Sequence, residues 1–148
     1  MRISNWMKHP VHAVKPLDSL RHARHLMEEH RVNQLPVVTD GHLVGIVTDR
    51  DLRDAFPSAL EHGHRKKAGA TPETVPVEDV MSRNVMSVAP NDSLANAAEI
   101  LRRERIGAVP VVDGGRLVGI LARSDLLEAF SALSALVDEK HQTKTQLM

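Results

Sequence analysis

Two short segments hold the residues best placed for chemistry. Gly45-Ile46-Val47-Thr48-Asp49-Arg50-Asp51 closes an apolar run and opens a polar one, and Gly119-Ile120-Leu121-Ala122-Arg123-Ser124-Asp125 does the same later in the chain. Where a strand gives way to a helix, unpaired backbone N–H groups and the positive end of the helix dipole favour an anion. A carboxylate just inside that helix, Asp51, can accept hydrogen bonds from both hydroxyls of a sugar, and the Thr48 hydroxyl can bond sugar or phosphate. The same residues also suit a structural role, with Thr48 as the helix cap and Asp51 as an ordinary first-turn acid. The second segment keeps the acid, Asp125, but has Ala122 where the hydroxyl belongs. Losing one hydrogen bond costs about 1 kcal/mol, which weakens occupancy there without excluding it. Ser124 lies nearby, as a ligand partner or as the cap of the last helix.

The two segments correspond because the chain is duplicated. Residues 7–56 align without a gap on residues 81–130, at a constant offset of 74. Roughly twenty of the aligned positions are identical, as expected of an internal repeat. Each copy starts with a short apolar run, marked by Val11 and Val14 or by Val85 and Val88, and is read as a strand. Pro16 or Pro90 follows, then Asp18-Ser19 or Asp92-Ser93, a helix start. One helix carries Leu20, Ala23 and Met27 on one face, and the other carries Leu94, Ala97, Ala98 and Leu101. The strands LPVVT and VPVVD lead through Asp40-Gly41 and Gly114-Gly115, which suit tight hairpins, into LVGIVT and LVGILA. These returning strands are apolar almost throughout, so both sheet faces are expected to be covered. A second helix begins near Asp49 and near Ser124, and in copy two Leu126, Phe130, Leu133 and Val137 form a stripe that is either core or a contact surface. The reading is β-α-β-β-α, twice, in an α/β (α+β) fold. Residues 1–57 form the first repeat, 58–76 a linker, 77–138 the second repeat and 139–148 a frayed tail.

Composition narrows the function. Lys and Arg total 19, as do Asp and Glu, so no strong basic field exists for nucleic acid. One Trp, two Phe and no Tyr leave few platforms for stacked bases. The absence of cysteine excludes disulfides and thiolate catalysis and fits a reducing compartment. No apolar run approaches a membrane span and the start MRISNWMKHP lacks a signal-peptide core, so a cytoplasmic protein is expected. Among nine histidines, His22 and His25 share a helix face with Glu29, while His62 and His64 fall in the linker; no fixed metal-ligand frame results. Arg65-Lys66-Lys67 reads as solvated surface. No nucleophile–base pair or pair of acids in a defined cleft can be assigned, so no catalytic residue and no enzyme activity are expected.

The duplicated order, the stretch VMSRNVMSVAPNDSL, the paired PVV strands, and LVGIVTDRDL with LVGILARSDL resemble a tandem pair of cystathionine-β-synthase (CBS) domains, a Bateman module. The resemblance covers nearly the whole chain. More narrowly, MRISNWMKHPVHAVKP followed by LPVVTDGHLVGIVTDRDLRDA is similar to stand-alone CBS-pair proteins of the acetoin-utilisation B type, with no further domain expected after copy two.

The resemblance implies a pseudo-two-fold pair that binds an adenosyl ligand (AMP, ADP, ATP or S-adenosylmethionine) in clefts between the copies, as a regulatory ligand with no required cofactor. It makes Asp51 the ribose ligand with Thr48 its companion, and Asp125 their counterpart. It sets adenine against His12-Ala13-Val14 and Met86-Ser87-Val88, largely through backbone groups, with Val37 and Val111 as pocket lining or plain core strand. Phosphate contacts would come from the opposite copy; Asn33-Gln34 and Gly107-Ala108 are not basic, which leaves Arg50, then Arg123, as partners or as exposed helix arginines. The expected function is a non-enzymatic regulatory module, a homodimer joined through helical faces into a flat disc and acting on a partner protein. The alternative is a ligand-free dimerisation or interaction module.

Overall fold

The structure is a computed structural model and describes residues 1–56 and 70–147. The linker residues His62, His64 and Arg65-Lys66-Lys67 lie outside the described residues. Copy one comprises α1 (Leu20–His30), β1 (Gln34–Thr39), β2 (His42–Thr48) and α2 (Asp49–Ala55). Copy two repeats the order with α3 (Leu94–Glu104), β3 (Ala108–Asp113), β4 (Arg116–Ala122) and α4 (Arg123–Gln146). A 3-10 turn precedes each copy, at Ile3–Asn5 and at Val77–Asp79. The mixed α/β fold expected from the repeat is present.

Local chemistry repeats with the sequence. Ser19 and Ser93 cap α1 and α3 by accepting from the amides of His22 (3.1 Å) and Asn96 (3.0 Å). The preceding acids close the proline turn instead, with Asp18 accepting from Lys15 N and Asp92 from Ala89 N. Leu20, Ala23 and Met27 of α1, and Leu94, Ala97 and Leu101 of α3, are buried as the periodicity predicts. The hairpin turns have two consecutive positive φ angles, 50° and 81° at Asp40-Gly41 and 58° and 84° at Gly114-Gly115, as this class of turn requires.

The first strand of each copy shrinks to a single bridge, Val14 with Val37 and Val88 with Val111, both parallel. Prolines cause this. Val14 N donates to Pro36 O and Val38 N to Val14 O. The next rung in one direction would need an N–H from Pro16, and in the other direction one from Pro36. Copy two has Pro90 and Pro110 at the same places and stops in the same way. In β2 and β4 the burial alternates between enclosed and half-covered residues, so only one face is fully closed. Gly45 and Gly119 mark close crossings. A Cβ on Gly45 would lie 2.6 Å from Met81 Sδ and 3.0 Å from Ser82 O; one on Gly119 would lie 2.5 Å from Met7 Sδ and 3.2 Å from Lys8 O.

The chain forms two compact units that exchange their leading segments: one gathers Val11–Met86 with Gly114–Leu117, the other Met1–Pro10, Ser87–Asp113 and Val118–Met148. In the first, Val77 is enclosed with Val14, Leu20, Val37 and Leu52, and the turn Gly114–Leu117 joins through Leu43 N to Gly115 O (3.1 Å). In the second, Ile3 is enclosed with Val88, Leu94, Leu101 and Val111. Each leading segment is tied by its backbone, Val77 N to Asp18 O and Ile3 N to Asp92 O.

The expectation of a frayed tail is corrected, because α4 runs on to Gln146. Nothing in HQTKTQ breaks a helix, and Thr143 and Thr145 donate to the carbonyls of Glu139 and His141 four residues back. The stripe on α4 is largely uncovered. Leu126 packs on the core, but Phe130, Leu133 and Val137 are exposed, as are Leu127 and Leu136. No described helix is long and apolar enough to cross a membrane.

Candidate functional site

At the β2–α2 junction Thr48 and Asp51 lock each other. Asp51 N donates to Thr48 Oγ1 at 3.1 Å, and Thr48 N donates to Asp51 Oδ2 at 2.8 Å. This reciprocal box satisfies two otherwise unpaired helix-start donors. Thr48 therefore is the cap, and Asp51 is held in one orientation by its Oδ2. Asp51 is half-buried, and no hydrogen bond among the described residues reaches its Oδ1. The neighbouring Asp49 is committed elsewhere, to Arg53 at 3.1 Å and Arg24 at 3.4 Å. Arg50 is exposed and pairs with Asp54 at 3.9 Å.

The β4–α4 junction keeps half of this device. Ala122 N donates to Asp125 Oδ2 at 2.8 Å, but Ala122 has no oxygen to answer the Asp125 amide. Ser124 does not cap: the cap position is Ala122, and Ser124 lies exposed inside the first turn of α4. Asp125 differs from Asp51 in being 1% exposed, and its second oxygen, Oδ1, faces Lys8 Nζ at 3.3 Å. The contact is an ion pair at poor hydrogen-bond angle, since Oδ1 has no aligned donor. Glu128 holds the same ammonium at 3.4 Å. Asp125 first and Glu128 second push the Lys8 pKa above its ordinary 10.5.

Lys8 was not singled out by the sequence motifs. Its backbone pairs with Ile120, as that of Ser82 pairs with Ile46. The repeat offset makes these two residues equivalent, so the compact unit that holds α1 and α2 has a serine where the unit that holds α3 and α4 has a cation. That charge difference, visible when the copies are aligned, is the signal that could have found it.

The remaining candidates separate by burial. Val14, Val37, Val88 and Val111 are enclosed in the cores, so their side chains pack against protein. Ala13 is half-buried; Met86 and Ser87 are exposed. His12 is exposed and stacks on His30, with ring centroids 3.4 Å apart and planes 10° apart. Asn33 and Gly107 use their carbonyls to accept from Asp49 N and Arg123 N, and Arg123 itself is exposed. His25 lies 3.5 Å from Glu29 while His22 faces Asp18 at 4.0 Å. Among the described residues no three His, Asp or Glu side chains gather as a metal site. A cavity of about 780 Å³ opens beside α1 and α2, over Leu20, Leu52 and Phe56, and reaches neither Thr48 nor Asp51. Its arginines are paired, Arg21 with Glu73 and Arg24 with Asp49.

Comparison with known proteins agrees with the repeat. The CBS domain family model matches residues 3–58 and 77–132. The CBS domain-containing protein YhcV of Bacillus subtilis (strain 168) is 36% identical over 144 residues, covering 95% of this chain and 96% of the relative. The solved structure of the Vibrio cholerae protein AcuB superposes with a TM-score of 0.77 at 31% identity, covering 94% of this chain and 96% of that one. That of CBSX2 in complex with AMP gives a TM-score of 0.76 at 31% identity, covering 90% and 98%.

Proposed function

The chain belongs to the CBS domain family, with two copies in tandem, and on that footing we propose that it is a regulatory module that binds an adenosyl nucleotide at Asp51 and performs no reaction itself. The observation that carries this reading is the Asp51 carboxylate, half-buried, fixed through Oδ2 by the Thr48 amide and, among the described residues, with no hydrogen bond at Oδ1. A ribose presents two adjacent hydroxyl donors to such a fixed acceptor. Adenine recognition falls to the backbone of His12 and Ala13. Pro36 offers no N–H to the His12 carbonyl, so that carbonyl remains for an exocyclic amino group. The relative solved with AMP supports the ligand class.

A thermal-shift panel of AMP, ADP, ATP, NAD and S-adenosylmethionine tests the reading. A ligand at a hundred times its Kd adds about 2.7 kcal/mol to the folded state and raises Tm. The shift is expected for at least one compound and is lost in Asp51→Ala. No shift with any of the five would leave the second reading, a ligand-free assembly module. The exposed apolar residues of α4 favour that reading, and they also support homodimer formation under the first.

A further inference from the structure

The two repeats present the same carboxylate in different company: Asp125 is ion-paired, and Asp51 has no ion pair among the described residues. Asp125 faces Lys8, and the residue equivalent to Lys8 in the unit that holds Asp51 is Ser82, which bears no charge. The equivalence rests on matched backbone bridges, Ser82 to Ile46 and Lys8 to Ile120, each made inside its own compact unit. Burial follows the difference. Asp51 is half-buried, whereas Asp125 is 1% exposed. The Lys8 side chain remains 64% exposed while its ammonium lies 3.3 Å from the enclosed acid.

We propose that Lys8 is an internal occupant of the Asp125 niche, so that the chain takes an adenosyl ligand at Asp51 and refuses one at Asp125. The inference rests on the function proposed above for the acid at this place in each copy. The chemistry is competition for one oxygen. A ribose diol is neutral and would displace an ammonium from a carboxylate that has almost no water. The ammonium is partly in water, but displacing it leaves the enclosed Asp125 charge without its counter-ion, which is unfavourable. Glu128 adds a second hold on the ammonium. In copy one the matching acid, Asp54, is turned to Arg50. The Ala122 position lacks the hydroxyl that completes the box at Thr48, so Asp125 is held by one bond of the box instead of two. Sequence difference at two positions, 8 and 122, thus makes a duplicated module single-sited.

Calorimetric titration with AMP and with ATP decides it, on wild type, Asp51→Ala, Lys8→Ser and the Lys8→Ser/Asp51→Ala double variant. Lys8→Ser installs the residue found at the equivalent position, Ser82. Wild type is expected to bind one molecule per chain, Asp51→Ala none, and Lys8→Ser two. The double variant isolates the Asp125 niche and is expected to bind one. Lys8→Gln, with circular dichroism to verify folding, serves if the serine variant is unstable. No binding by a folded double variant, in either form, overturns the inference. So does a wild type that binds two and loses affinity for ATP in Lys8→Ser, which would make Lys8 a phosphate ligand. Failure of the broader reading looks different: wild type, Lys8→Ser and the double variant then all bind nothing, whereas failure of this inference alone leaves wild type binding and the double variant empty.

Discussion

The amide of Val77 donates to the carbonyl of Asp18 at 2.8 Å, so the segment leading into copy two closes the helix start of copy one. Ile3 does the reciprocal job, its amide reaching Asp92 O at 3.0 Å. Both side chains are fully enclosed. Each copy therefore completes its core with residues that precede the other copy. A unit of about fifty residues buries too little surface to stand alone, and the exchange makes each unit depend on distant sequence.

Truncating these two side chains should act on opposite copies. Ile3→Ala is expected to cost about 3 kcal/mol and Val77→Ala about 2 kcal/mol, as lost transfer energy plus a residual cavity. Hydrogen exchange locates the effect. Ile3→Ala should speed exchange in α3, and Val77→Ala in α1. If each variant loosened only the copy that follows it in sequence, the exchanged cores would be refuted.

Much of this was legible because it is local. The Asp-Ser pairs, the Asp40-Gly41 and Gly114-Gly115 turns and the Leu20, Ala23, Met27 face depend on neighbours within four residues. The first strands were misread because apolar spacing at Val11 and Val14 was weighed without the prolines at 16 and 36, which forbid the adjoining rungs. The tail was misread because HQTKTQ is polar, although polarity does not stop a helix that lacks glycine and proline. The core exchange was hidden because it joins residues far apart in sequence. Thr48 and Asp51 were legible as a pair, but their motif could not show that Asp125 faces a lysine arriving from the other end of the chain.

The Lys8–Asp125 pair gives a pH dependence whose sign is fixed. Lys8 has a folded-state pKa above 10.5, chiefly through Asp125 and then Glu128. The charged form is favoured by folding, so the pair's contribution to stability is fully present below about pH 10.5 and disappears as pH rises through the folded pKa. The lysine ε-carbon signals, followed by NMR from pH 8 to pH 12 (a window that spans the ordinary lysine value of about 10.4), report this directly. Lys8 should titrate above 10.5, and Asp125→Asn should bring it back toward that value. A Lys8 midpoint unchanged by Asp125→Asn would show that the pair does not form in solution.

The helix α4 carries the last prediction. Leu127 and Phe130 are each 67% exposed, and Leu133, Leu136 and Val137 extend the apolar surface along the next two turns. Burying such a surface gains roughly 25 cal/mol per Å² of apolar area, and a two-fold contact would let each copy cover the other's patch. Sedimentation velocity on wild type should show a dimer. Phe130→Ser with Leu133→Glu should give monomers with little loss of thermal stability, since neither side chain belongs to the enclosed core. A wild type that sediments as a monomer at all concentrations would remove α4 as a dimer surface, and a double variant whose Tm fell steeply would instead place these residues inside the fold.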